Sequence, residues 1–157
     1  MSVLPPLASE GHLALTEAEL RDWGMRLGRQ IDPPLVVTLT GDLGAGKTTL
    51  ARAICEGYGV TAEVTSPTFT LVHEYAAPRS TVFHLDLYRL ESERDLQNIG
   101  WDDLLHGDGL VLVEWPERAA KRIPAHLPIE LRHIPGDPRR RVLYAGGHLD
   151  GAAEQRS

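Results

Sequence analysis

Residues 35–50 read LVVTLTGDLGAGKTTL, and this stretch decides the fold. Leu35 to Thr40 form a short β-branched and apolar run without alternation, the pattern of a strand covered on both faces in a parallel sheet. A glycine loop follows at once. Beyond it, Leu50, Ala51, Ile54 and Tyr58 share one side of a helix predicted from Lys47 to about Tyr58, with Gly57 and Gly59 as its stop. Residues 41–48 satisfy G-x-x-x-x-G-K-[ST], a match that the chain's own residue frequencies would produce by chance in roughly 0.2% of cases. The spacing has a physical reason. Glycines let successive N–H groups turn inward, and the following helix presents its positive end, so together they cradle phosphate oxygens. Gly41, Asp42, Leu43, Gly44, Ala45 and Gly46 are therefore expected to wrap a nucleotide's phosphates. Lys47 reaches the β and γ oxygens, Thr48 ligates Mg2+, and Thr49 stands beside them on the first turn. The bland alternative is a structural glycine turn.

Around this core the chain alternates helix and strand signals. Thr16 with Glu19 makes a capping box, Leu15 is placed to staple to Leu20, and Leu20, Trp23, Leu27 and Ile31 recur at helical spacing until Pro33 and Pro34. Arg21, Arg26 and Arg29 are left to water. Residues 68–75 alternate, with Phe69, Leu71, His73 and Tyr75 on one face, and a turn containing Pro78 leads into Thr81–Leu87, which predicts an antiparallel pair. Ser92 opens a helix carrying Leu96 and Ile99, Gly100 interrupts it, and Leu104 and Leu105 continue in a second piece. Leu110–Val113 reads as another covered strand, and residues 129–134 and 141–145 flank a Pro-Gly-Asp-Pro turn as a closing hairpin. The expected class is α/β: a three-layer sandwich like the P-loop NTPases, with a mixed, mainly parallel central sheet. Residues 1–157 are expected to form one domain, with 1–10 and about 147–157 frayed.

A phosphate loop needs an acidic partner at the end of a neighbouring strand. Glu114 ends the Leu110–Val113 run and Asp86 ends Val82–Leu85; each is a candidate to serve the metal and the attacking water, against a plain reading as a solvated carboxylate. Ser66-Pro67-Thr68 resembles a switch segment in which a hydroxyl senses the γ-phosphate, or else is a turn with Pro67 fixing φ. His84 reads as a packed strand residue rather than a ligand. Trp115 covers an interface or the site, or is an ordinary packed aromatic. Arg89 stabilises transferring charge or pairs with a surface carboxylate, and Arg139–Arg141 is a short basic run in a turn, read as a solvated face.

Composition bounds the rest. The 157 residues carry 16 basic and 22 acidic side chains, a formal charge of −6, which disfavours a protein that tracks DNA or RNA backbones by itself. One cysteine, Cys55, excludes an internal disulfide, and no apolar run approaches about 18 residues, so a cytoplasmic chain without a membrane span is expected. The only lysines are Lys47 and Lys121, so no N-K-x-D guanine-selecting motif occurs and ATP is the expected nucleotide.

Taken together, GDLGAGKTTL at 41–50, SPTFTLVHEY at 66–75, FHLDLYRL at 83–90 and VEWPER at 113–118 resemble the bacterial TsaE (YjeE) family over nearly the whole chain. The last three strings are specific to that family, whereas the phosphate loop is widely shared. His73 departs from a string that often reads Val-Asn-Glu-Tyr. The resemblance implies a small Mg2+-dependent ATPase needed for N6-threonylcarbamoyladenosine formation on tRNA beside the anticodon. It implies TsaD and TsaB as partners, with tRNA met indirectly through their complex. It further implies that Lys47 and Thr48 bind phosphate and Mg2+, that Glu114 and Asp86 serve metal and water, that Thr68 sits in a switch-like loop, and that Thr16 or Glu17 lies near the adenine. Two rivals stand beside it: a small-molecule kinase, for which the chain has no long lid insertion, and a non-hydrolysing nucleotide-dependent switch.

Overall fold

The computed structural model describes residues 12–42, 44–67 and 70–146. The expected frayed ends lie outside this range, as do Leu43, Thr68 and Phe69. The elements are β1 (His12–Thr16), α1 (Glu17–Gln30), β2 (Leu35–Gly41), α2 (Lys47–Tyr58), β3 (Val72–Ala76), β4 (Thr81–Asp86), α3 (Glu93–Asn98), α4 (Trp101–Leu105), β5 (Leu110–Glu114), a 3-10 helix (Pro116–Arg122), β6 (Leu127–Ile134) and β7 (Asp137–Ala145). The seven strands form one sheet in the order β1-β7-β6-β2-β5-β4-β3. Its four central strands, β6, β2, β5 and β4, run parallel, and β1, β7 and β3 add on antiparallel at the edges. The α/β class and the mixed sheet with a parallel centre are as expected.

Burial follows the sequence pattern. β5 is buried at every position and β2 at four consecutive ones, because helices cover both faces of the sheet. One face packs Val37, Leu39, Leu110 and Leu112 under Leu20, Trp23 and Leu27 of α1 and Leu50 and Ile54 of α2. The opposite face packs Val36, Leu85, Val111 and Val113 with Leu96, Trp101 and Leu105. At its start α1 has both bonds of the capping box, Thr16 accepting from the Glu19 amide and Glu19 from the Thr16 amide. These local bonds hold the Glu19 carboxyl below its usual range.

One strand is added to the expected elements, and three local expectations are corrected. The added strand is β1, His12–Thr16, paired along β7. β3 starts at Val72 rather than 68, since Leu71 takes a left-handed φ of 64° that breaks the extended run. β7 begins at Asp137, so Arg139–Arg141 lie in a strand and not in the turn, which is Pro135-Gly136 with Gly136 at φ 80°. Gly57, expected as a helix stop, lies inside the last turn of α2, and Gly59 caps it with φ 104°.

Gly57 has a packing role instead. A Cβ there would overlap the backbone carbonyl of Met25 on α1, and a backbone atom cannot step aside as a flexible side chain does. Gly57→Ala should therefore destabilise the chain by about 1–3 kcal/mol despite alanine's better helix propensity. A thermal melt checks this: Tm should fall by several degrees, and an unchanged or higher Tm would show that the two helices do not meet this closely.

Candidate active site

The carboxyl ends of β2, β5 and β4 meet at one edge of the sheet, where parallel α/β folds place their ligand crevices. Gly41 ends β2 with φ 144°, and a Cβ there would overlap the Leu131 carbonyl on β6; glycine is required by both conformation and space. The loop closes with Gly46 as the N-cap of α2, in a left-handed conformation and with no side-chain cap bond. The first turn of α2 carries no acidic residue. Its amide donors are thus left for an anion from outside.

Lys47 is buried to 5% exposure. Its Nζ donates to the carbonyls of Gly41 at 2.5 Å and Asp42 at 2.8 Å and stands 4.2 Å over the centre of the Trp115 ring. Burial lowers its pKa, and the nearby carboxylates of Glu114, Glu117, Asp86 and Asp42 oppose that shift. The Thr48 hydroxyl donates to the Glu114 carboxylate, 3.2 Å from Oε1.

Glu114 and Asp86 are register partners across β5 and β4, so two carboxylates stand side by side. Asp86 accepts from the Tyr88 amide at 3.0 Å and from the Ser66 hydroxyl at 3.3 Å. Its pKa is nevertheless raised, by burial first and by the Glu114 charge as well. An acid whose folded pKa is raised holds extra protons in the native state, so stability is lost as pH climbs from the ordinary carboxylate range through the raised value. Asp86→Asn removes that loss. Without nucleotide, the variant should melt above the parent at pH 8, with the gap narrowing toward pH 4; a lower Tm at pH 8 would contradict the assigned burial of charge.

A cleft of about 340 Å3 opens here, lined by Gly44, Gly46, Lys47, Thr48, Thr49, Asp86 and Glu114 together with Ser66 and Trp115. Seven of the expected residues are thus brought together. Gly41 and Asp42 contribute the carbonyls that hold Lys47. Ala45 is fully buried with its amide bonded to the Asp42 carbonyl, so it packs the loop from below. Thr16 is occupied as the cap of α1 and does not line the cleft. Glu17 pairs with Arg21 at 2.8 Å in a neighbouring groove of about 270 Å3 between α1 and α2, which Thr49 also lines. Leu43 and Thr68 lie outside the described residues. Arg89 is exposed and is not among the cleft-lining residues.

Three residues emerge that sequence reading left open or undervalued. Trp115 adopts a left-handed φ of 57° ahead of Pro116, which turns its ring over Lys47 and against Tyr88 at 4.9 Å. His84, read as a packed strand residue, is fully buried and also bonds Glu114, its Nε2 2.6 Å from Oε2. The signal for this was present, since strand alternation puts residue 84 on the same face as Asp86. Arg141, read as part of a solvated face, is half-buried and reaches the loop: a Cβ on Gly46 would stand 3.3 Å from its Nη1.

The donor set suits Mg2+. Among the described residues no group of three acidic, histidine or cysteine side chains forms a complete metal cage. Two carboxylates and one hydroxyl sharing the cleft are oxygen donors that suit an ion which keeps water and phosphate oxygens in its shell. Likewise, no helix among the described residues is long and apolar enough to cross a membrane.

Comparisons with known proteins converge. The family model described as "Threonylcarbamoyl adenosine biosynthesis protein TsaE" matches residues 14–142. The chain is 40% identical over 124 residues to the tRNA threonylcarbamoyladenosine biosynthesis protein TsaE of Treponema pallidum (strain Nichols), covering 78% of this chain and 90% of that one. It is 41% identical over 113 residues to the protein of the same name from Bacillus subtilis (strain 168), covering 71% and 70%. Among solved structures, the crystal structure of Bacillus subtilis YdiB superposes with a TM-score of 0.71 at 31% identity, covering 87% of this chain and 86% of that one.

Proposed function

The chain belongs to the TsaE family of threonylcarbamoyl adenosine biosynthesis proteins, and from that premise we propose that it is the ATP-binding and hydrolysing component of tRNA threonylcarbamoyladenosine formation in the cytoplasm. The observation that carries the reading is the meeting of Lys47, Thr48, Asp86 and Glu114 in one cleft at the mouth of the 41–48 loop. The loop amides and the start of α2 grip the β-phosphate, and Lys47 exchanges its two carbonyl partners for phosphate oxygens. Arg141 adds a second cation on the far flank of Gly46. Thr48 and Glu114, with Asp86 beside them, hold Mg2+, which supplies neutralisation of phosphate charge. Asp86 and Glu114 orient the attacking water and receive its proton, and Trp115 screens the ammonium from bulk solvent. Thr68 keeps the role of γ-phosphate sensor that the switch-like segment implies, and Glu17 lies toward the adenine through the groove shared with Thr49.

A chain of net charge −6 has little to grip tRNA with. Docking on TsaD and TsaB, with hydrolysis resetting their complex between turnovers, gives it access to tRNA without contact of its own. Reconstituting threonylcarbamoyl transfer to tRNA with TsaD, TsaB and ATP, with and without this chain, tests the role. Multiple turnover should require the chain; transfer that proceeds equally without it, or rapid phosphorylation of a metabolite by the chain alone, would refute the reading.

A further inference from the structure

Among the described residues, His84 is the one fully buried imidazole beside the cleft, and the proposed chemistry leaves it unused. It stands on β4 two residues before Asp86, on the face shared with Val82, Leu110 and Leu112. An aliphatic side chain would pack there without desolvating two ring nitrogens, so the imidazole carries a cost that packing does not explain. Its Nε2 lies 2.6 Å from Glu114 Oε2, while its Nδ1 is buried with no hydrogen-bond partner among the described residues. A buried unpaired donor costs more than a buried unpaired acceptor. The favoured arrangement therefore puts the single proton on Nε2, donated to the Glu114 carboxylate, and leaves the lone pair on Nδ1.

Glu114 is itself 2% exposed and has few ways to be held. Its Oε1 accepts from Thr48 at 3.2 Å, and its Oε2 takes the bond from His84. The carboxylate is thereby fixed between α2 and β4. Strand register alone would not do this, because it sets the Glu114 backbone beside Asp86 and leaves the side-chain torsions free.

We infer that His84 is a positioning residue: its Nε2–H fixes the Glu114 carboxylate so that the oxygen beside Thr48 is presented to the divalent cation that accompanies nucleotide. The inference rests on the nucleotide reading above. It makes the cation-dependent part of nucleotide affinity depend on a side chain that does not line the cleft, and leaves the cation-independent part to the loop amides and Lys47.

Two variants separate this from a structural role. His84→Gln offers an amide donor near the place of the ring Nε2, and His84→Met fills a similar volume without a donor. ADP affinity is measured calorimetrically for the full chain in EDTA and in MgCl2, and Mn2+ binding to the ADP complex by water-proton relaxation. The methionine variant should keep its affinity in EDTA but lose the gain from Mg2+, and Mn2+ affinity, by about tenfold or more; the glutamine variant should retain most of both. Equal cation-dependent gains in all three proteins would overturn the positioning role. So would equal losses in the two variants, or a methionine deficit that is as large in EDTA. If the methionine variant does not melt cooperatively, His84→Asn, whose amide reaches only the Nδ1 place, carries the same expectation. A parent chain that binds no ADP under either condition would instead refute the nucleotide reading itself.

Discussion

Replacing Lys47 by alanine should lower ATP turnover by at least about a hundredfold, the scale seen when one pre-placed charge partner is removed from a reacting centre. The ammonium is buried, held on the Gly41 and Asp42 carbonyls, and backed by the Trp115 ring. On the proposed reading the ammonium has already turned from those carbonyls to the phosphate oxygens when nucleotide binds, so charge that develops on the transferring phosphoryl group meets it with little further reorganisation. Loss of the side chain costs the fold little, because the two carbonyls border the cleft and gain water in exchange, about 1 kcal/mol at most. Arginine should not rescue the variant, since a planar fork cannot replace a compact ammonium between those two carbonyls. Phosphate-release kinetics alongside a thermal melt check both halves. A variant with near-parent turnover, or one that loses activity only because it has unfolded, would count against the role given to Lys47.

Glu114→Ala is the second large effect and differs in kind. ADP binding in EDTA should persist, because the loop, Lys47 and the start of α2 are intact, while turnover falls by about 10²–10³-fold through loss of water activation and metal support. The change also strands the His84 Nε2–H and the Thr48 hydroxyl, so alanine should lower stability by about 1–3 kcal/mol as well. Glu114→Gln separates the two consequences: it keeps most of the stability and none of the carboxylate chemistry. Single-turnover and steady-state rates, set beside EDTA binding, give the test. Loss of nucleotide binding in EDTA would mean that Glu114 organises the loop instead, and unimpaired turnover would favour a switch that does not hydrolyse.

The expected architecture was legible where the physics is local. The loop 41–48 was readable because glycine spacing, the lysine and the helix start are all set within a few residues. The Thr16–Glu19 capping box and the covered strands at 35–40 and 110–113 were readable for the same reason. β1 was not, because residues 12–15 are strand only through pairing with β7, more than a hundred residues away. Gly57 was misassigned since a glycine near a helix end signals a stop locally, while its real constraint is the Met25 carbonyl on another helix. In the cleft, Asp86 and Glu114 were found from their strand-end positions. His84 was read only as a packed strand residue and Arg141 only as solvated, although alternation put His84 on the Asp86 face; their partners, Glu114 and the Gly46 turn, come from other elements that the assembled sheet brings to them.

On the proposed reading, the main-chain amides of residues 44–48 hold a nucleotide's phosphates. A crystal structure of the chain with Mg2+ and a non-hydrolysable ATP analogue tests it most directly. The β-phosphate should lie within hydrogen-bond distance of those amides, with Lys47 turned from the Gly41 and Asp42 carbonyls to the phosphate oxygens and the metal beside Thr48 and the acidic strand ends. A nucleotide bound elsewhere, with Lys47 still on its two carbonyls, would contradict it.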